Sequence, residues 1–411
     1  VTYADGSWEA PDAFLEKLEI AYSEDEDAEM SQFGVTSDQY GTLTLASLIG
    51  ASYDDPRWDA LLSQMSEDET WNLVRRSGYL SQGISSIAMP QVTLKDGTAG
   101  ISSTLTGGGV SCTAFPTEVL LASTFDTDLA ETMGKLVGED SLSSDVAVWY
   151  APAANIHRCA YSGRNFEYYS EDPLISGRMC AAEVTGARSK GTVVTVKHFA
   201  LNDQETNRIG GAMLADEQAI REIYLMPFEL AVRDGGADGM MDAMSRIGPT
   251  WAGGHAGLLT QVLRDEWGFK GFVTTDQASF TTFNMCDIRE GLGAGTDMWL
   301  NVTEFMWQLP EKERTATVMS QARQAAHRIL YAYANSNAMN GVSSDARVVS
   351  TLPSWLPLWI AANVLLVLFL YVWHKLASLC FGKRTLWQTL RHKPKRGGLS
   401  GKKHPAPAHM G

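Results

Sequence analysis

The residue best placed to do chemistry is Asp276, which ends the run Gly271 to Thr275 (GFVTT). That run is short, apolar and β-branched, the texture of a strand buried on both faces in a parallel sheet. Leu258 to Gly268 upstream (LLTQVLRDEWG) has helical apolar spacing and a closing Gly suited to a left-handed cap, so helix passes to strand and strand to acid. In a (β/α) barrel, chemistry gathers at the C-terminal ends of the strands. The alternative for Asp276 is a cap on the next helix, Asp being a preferred N-cap. A second group stands at Lys197 and His198, which end the run Thr192 to Ala200 (TVVTVKHFA) and precede NDQETNR. Successive strand residues face opposite sides, so both reach one site only if the strand is already breaking there. Histidine at a strand end serves structure as readily as catalysis.

Two further candidates have equally plain alternatives. Asp96 sits in Lys95-Asp96-Gly97, and Asp-Gly is a common turn dipeptide. Arg164 lies in a long irregular stretch, 151–173, with Arg158, Glu167, Glu171 and Asp172 among aromatics. Loops of that length are often functional, yet these arginines could be tied up in structural ion pairs.

The elements that must position these residues alternate. Residues 85–101, Val146 to Tyr150, Thr192 to Ala200, Gly239 to Met244, the opening run and Thr296 to Leu300 read as strands. Between them, 117–124, 126–142 from the N-cap Asp126, Asp216 to Gly235 and Glu311 to Asn335 read as helices. Ser66 with Glu69 has capping-box spacing before another. Strands alternating with helices over about 270 residues predict an α/β protein with a (β/α)8 TIM-like barrel. The expected organisation is an acidic N-terminal extension at 1–55, the barrel at 56–336, a Ser/Asn/Gly-rich linker at 337–353, a transmembrane helix at 354–374 and a basic tail at 375–411. Leu43 to Ile49 is expected to pack on the larger body, and SEDEDAE at 23–29 to be solvated surface.

Composition narrows the function. The chain has 411 residues and a net charge of −15; the part after Ser354 carries nine Lys or Arg and no acid, so residues 1–353 carry −24. An acidic body of that size argues against nucleic acid and is compatible with a neutral polar substrate. Trp355 to Trp373 holds 19 uncharged residues with aromatics near both ends, long enough to cross a bilayer. The positive-inside rule then places the tail in the cytoplasm and the barrel outside the cell. The five cysteines never form C-x-x-C, so no zinc site or disulfide framework is indicated, and a Cys159 to Cys180 bridge stays open. No G-x-G-x-x-G follows a strand, and the GGG at 107–109 lacks a Walker Lys and reads as a loop.

The ordered set DGTAGI (96–101), FPTEVLLASTFD (115–126), SGRNFEYYSEDP (162–173), KHFALNDQETNR (197–208) and LRDEWGFKGFVTTD (263–276) resembles glycoside hydrolase family 3, the β-glucosidase family. The resemblance spans roughly residues 55–335. It implies a barrel whose nucleophile is Asp276, with Asp96, Arg164, Lys197 and His198 binding sugar hydroxyls and no metal or cofactor. Lys197 and Arg164 would then keep Asp276 ionised. The implied activity is that of a retaining exo-β-glycosidase, in which a carboxylate attacks the anomeric carbon and a second carboxyl protonates the departing oxygen. Two departures matter. Met244 stands where the family usually has an aromatic residue, and cannot donate to Asp276. The general acid comes from an α/β-sandwich domain in many members, or from a His loop after KHF in others. Residues 199–213 contain no His, which disfavours a β-N-acetylhexosaminidase. Some members place the sandwich ahead of the barrel, and the Val-Thr-Tyr start suggests that such a domain precedes Val1. The competing reading is a membrane-anchored sugar-binding protein that lacks the acid and does not turn over.

Overall fold

Every apolar, β-branched run named above becomes a strand in the computed structural model, which describes residues 12, 16–18, 22–102, 112–279, 286–348 and 355–380. The strands are β1 (Leu80–Ser81), β2 (Val92–Asp96), β3 (Val148–Tyr150), β4 (Val193–Phe199), β5 (Ala212–Met213), β6 (Gly239–Asp242), β7 (Arg246–Ile247), β8 (Thr250–Trp251), β9 (Phe272–Gln277) and β10 (Met298–Leu300). Seven of them form one sheet in the order β1-β2-β3-β4-β6-β9-β10, and β5, β7 and β8 form a small second sheet. In the large sheet every pairing is parallel except β1 with β2. Gly78, just before β1, donates its N–H to the Asn301 carbonyl just after β10 at 3.3 Å, so the curled sheet meets itself at that seam. An added Cβ on Gly78 would lie 2.6 Å from the Asn301 nitrogen, an approach that glycine permits.

The described residues therefore give a seven-stranded barrel-like sheet with a reversed first strand, where eight parallel strands were expected. The reason lies between β1 and β2. A parallel neighbour needs a crossover of a dozen or more residues, whereas Gln82 to Gln91 is a short link holding one turn of helix, Ser85–Ile87, which suffices only for an antiparallel pair.

Helices cover the sheet. Helix Glu67–Arg75 begins with the expected capping box between Ser66 and Glu69, helix Thr127–Ser143 is capped by Asp126, and helix Gly257–Glu266 ends at Gly268 with φ +76°. The single helix expected over 216–235 is interrupted. Pro227 has no N–H, and one turn before it the chain widens, with Leu225 N bonding to Ile220 O. Leu225, Phe228 and Ala231 are still buried on one stripe. Leu45 and Leu48 are fully buried, as expected for a segment docked on a larger body. The acidic run at 23–29 is mostly exposed, but it is also pinned. Asp25 N bonds Thr317 Oγ1 at 2.9 Å and Thr315 Oγ1 donates to Glu24 at 2.7 Å, at the start of helix Ala316–Ala334, where carboxylates offset the helix dipole.

One ion cluster fixes the strand that carries Asp276. Asp297 is fully buried; its carboxylate takes Arg264 Nη2 at 2.6 Å and Arg328 Nη1 at 2.8 Å, and accepts from Val273 N at 2.8 Å. Cys159 and Cys180 are free thiols, one exposed and one buried, so no bridge joins them. A separate unit, 349–411, contains helix Leu356–Cys380. Its segment Leu356–Leu379 has a mean hydropathy of 2.1 and its apolar side chains are exposed. Most of the expected N-terminal extension before Tyr22, the GGG at 107–109, residues 349–353 of the linker and the tail beyond Cys380 lie outside the described residues.

Candidate active site

The C-terminal ends of β2, β4, β6, β9 and β10 open into one pocket of about 330 Å³. All five candidate residues line it: Asp96 from β2, Lys197 and His198 from β4, Asp276 from β9, and Arg164 from the loop after β3. Lys197 and His198 share the pocket because the strand breaks there. The register of β4 against β6 shifts between Val196 and Phe199. Asn155 clamps this break from the side, its Oδ1 accepting from His198 N at 2.8 Å and its Nδ2 donating to His198 O at 2.9 Å.

The pocket's electrostatics differ from the expectation in one respect. Lys197 does not serve Asp276; its ammonium is bonded to Asp96 Oδ1. Desolvation raises the Asp96 carboxyl, but the charge and hydrogen bond of Lys197 outweigh it and hold that carboxyl below its usual value. Asp96 also accepts from Gly97 N at 2.7 Å, and Gly97 has φ +124°, so Asp96 stands at a turn and lines the pocket as well. Arg164 donates through Nε to Glu167. The ion-pair alternative is thus realised alongside exposure to the pocket.

Around Asp276 stand different partners. Its N–H reaches Asp242 Oδ1 at 3.3 Å, and its own Oδ1 accepts from Gln277 N at 2.6 Å. Its Oδ2 is enclosed and has no hydrogen-bond partner among the described residues. Arg208 Nη1 lies 3.7 Å from that oxygen and His198 Nε2 3.9 Å. Burial, reinforced by the charges of Arg164, Lys197 and Arg208, pushes His198 well below the usual imidazole value, so it is a neutral hydrogen-bonding group and not a cation. Asp242, fully buried beneath, is pushed well up by burial. The site therefore holds one enclosed carboxylate oxygen without a hydrogen bond among the described residues, beside the Asp96–Lys197 ion pair and two guanidinium groups, an arrangement able to grip several hydroxyls at once.

Sequence reasoning missed Arg208, Tyr79, Ile209, Met241, Gln277 and Leu300, all of which line the pocket. Arg208 closes the segment that begins at Lys197, and this is the one signal that could have found it. Tyr79 precedes the reversed strand and donates to Gln277 Oε1 at 3.3 Å, a contact 198 residues apart that no local pattern encodes. Met244, named above as a departure from the family pattern, also lines the pocket. No group of three or more His, Cys, Asp or Glu among the described residues could hold a metal ion.

With this fold and site, the chain belongs to glycosyl hydrolase family 3: the family's N terminal domain matches residues 61–332. Among its relatives, a β-glucosidase of Rhizobium radiobacter is 35% identical over 243 residues, 58% of this chain and 29% of that protein. β-Glucosidase A of Butyrivibrio fibrisolvens is 41% identical over 194 residues, 47% of this chain and 23% of that one. Among solved structures, β-glucosidase 3B from Thermotoga neapolitana in complex with α-D-glucose superposes with a TM-score of 0.61 at 30% identity, covering 71% of this chain and 45% of the other. The chain thus spans about a quarter to a third of the length of these two relatives.

Proposed function

We propose that this chain carries the sugar-binding barrel of a retaining exo-β-glycosidase of β-glucosidase type, with Asp276 as nucleophile. The observation that carries the reading is Asp276 at the C-terminal end of β9, lining a pocket with hydroxyl-binding groups on its other walls and keeping its Oδ2 without a hydrogen bond among the described residues. Asp276 attacks the anomeric carbon, the glycosidic oxygen leaves with the bonding electrons, and water later releases the sugar. Asp96, Lys197, Arg164 and the neutral His198 hold the ring hydroxyls, and the names of the relatives point to glucose as the sugar.

The general acid is proposed to come from outside the described residues. Among the described residues the only carboxylates lining the pocket are Asp96 and Asp276, and Asp96 is engaged by Lys197. That same observation favours the second reading, a sugar-binding protein without turnover. A 2,4-dinitrophenyl 2-deoxy-2-fluoro-β-glucoside separates the two, because so good a leaving group departs without a proton. A stable adduct on Asp276, seen by intact and peptide mass spectrometry, supports the nucleophile. Glucose binding with no adduct leaves the receptor.

Helix Leu356–Cys380 is proposed to span a membrane, with the barrel outside the cell and the basic tail inside. Its 24-residue apolar segment would reach roughly 36 Å at 1.5 Å per residue. Protease added to intact cells should release the barrel; cleavage confined to the tail inverts the orientation.

A further inference from the structure

Arg208 Nη1 and Asp276 Oδ2 face each other at 3.7 Å, both enclosed, with no hydrogen bond between them or to any other described residue. That gap is longer than a charge-assisted hydrogen bond, and opposite charges so near would close on each other unless one were held back. What holds Arg208 is Glu205. Its Oε2 pairs with Arg208 Nε at 3.2 Å, while Oε1 accepts from Asn202 Nδ2 at 3.1 Å and stands 3.9 Å from Arg164 Nη1. Asn202 is itself buried and fixed, since its Nδ2 also reaches Tyr168 Oη at 3.0 Å and its carbonyl accepts from that hydroxyl at 3.2 Å. Glu205 does not line the pocket; it stands behind both of the pocket's arginines.

We propose that Glu205 is a positioning residue that tethers Arg208 short of the nucleophile, leaving Asp276 Oδ2 free to attack while Arg208 Nη1 stays within reach of a sugar hydroxyl. The inference rests on Asp276 being the nucleophile. With the Glu205 charge removed, the two guanidinium groups repel each other and Arg208 turns to the nearest remaining anion, Asp276. A direct bond there occupies the lone pair that must form the new bond to the anomeric carbon as the phenolate departs with its electrons.

The test uses the full chain and the dinitrophenyl fluoroglucoside, measuring the labelling rate constant kinact and the binding constant KI separately. Glu205→Gln should lower kinact at least tenfold and leave KI within about threefold. In an Arg208→Ala background the same substitution should change kinact by less than about threefold, because nothing remains to be tethered. Equal losses in both backgrounds, or a change in KI alone, overturn the proposal. Should Glu205→Gln not fold, Glu205→Asp, with its carboxylate drawn back by one methylene, should alter kinact severalfold at constant KI; an unchanged kinact overturns the proposal. Wild-type chain that forms no adduct removes the nucleophile reading, and this inference with it. Wild-type labelling with an unaltered Glu205→Gln rate removes this inference alone.

Discussion

Asp276 lines the pocket with one enclosed oxygen that makes no hydrogen bond among the described residues and another that accepts from the next backbone N–H, so substitution at this residue divides binding from chemistry. Asp276→Asn keeps the shape and removes the nucleophile. Labelling by the fluoroglucoside should fall on the order of 10⁴-fold or more while glucose still binds in calorimetry. Lys197→Met should behave differently. It leaves Asp96 without its counter-charge in a partly desolvated site, so sugar binding should weaken first, by roughly tenfold or more. Away from the pocket, Glu183 is fully buried, and burial, only partly offset by the Tyr169 hydroxyl it accepts at 2.6 Å, raises its carboxyl to about 8 from an ordinary 4.5. Glu118, also fully buried, is pushed in the same direction by burial and by Glu183. A raised carboxyl binds its proton more tightly when folded. The stability it contributes is complete below pH 4.5 and is lost as pH rises through about 8. Thermal midpoints of the wild type should therefore decline across that window, and Glu183→Gln should flatten the decline.

Strand β9 is held at its buried end by Asp297 and delivers Asp276 at the other, so the ion cluster is where the element's geometry is decided. Asp297→Ala leaves Arg264 and Arg328 without the carboxylate they share. The expected cost is about 3–5 kcal/mol, read as a fall in the urea midpoint. An ordinary surface element responds far less. Ser66→Ala removes the capping-box hydroxyl of helix Glu67–Arg75 and should cost about 1 kcal/mol in the same assay.

At the scale of the molecule, two units follow different solvents. Within the unit 1–348 most apolar side chains of the strands and their covering helices among the described residues are buried, whereas helix Leu356–Cys380 exposes Leu, Val, Phe and Trp along its length. Exposed apolar surface of that extent is costly in water, and a bilayer is the partner proposed for it. Leu366→Arg combined with Val367→Arg places two charges near the middle of the helix, at about 2.5–3.5 kcal/mol each on insertion scales. The doubly substituted chain should leave the carbonate-resistant membrane fraction; if it stays there, another segment makes the attachment.

Read by itself, the sequence determined which residues meet. Asp96, Arg164, Lys197, His198 and Asp276 were singled out by the family resemblance of the segments that hold them, position alone leaving each with a structural alternative, and in a parallel sheet strand ends of this kind face one way. Helix caps were legible without it, being local chemistry of three or four residues. Tertiary structure alone decided who partners whom. Lys197 goes to Asp96 and Arg208 stands by Asp276, contacts set by how neighbouring strand ends splay and not by any spacing along the chain. It also decided the strand count and the reversal of β1, since closure of a sheet depends on the room left between its first and last strands, a distance that no stretch of sequence contains.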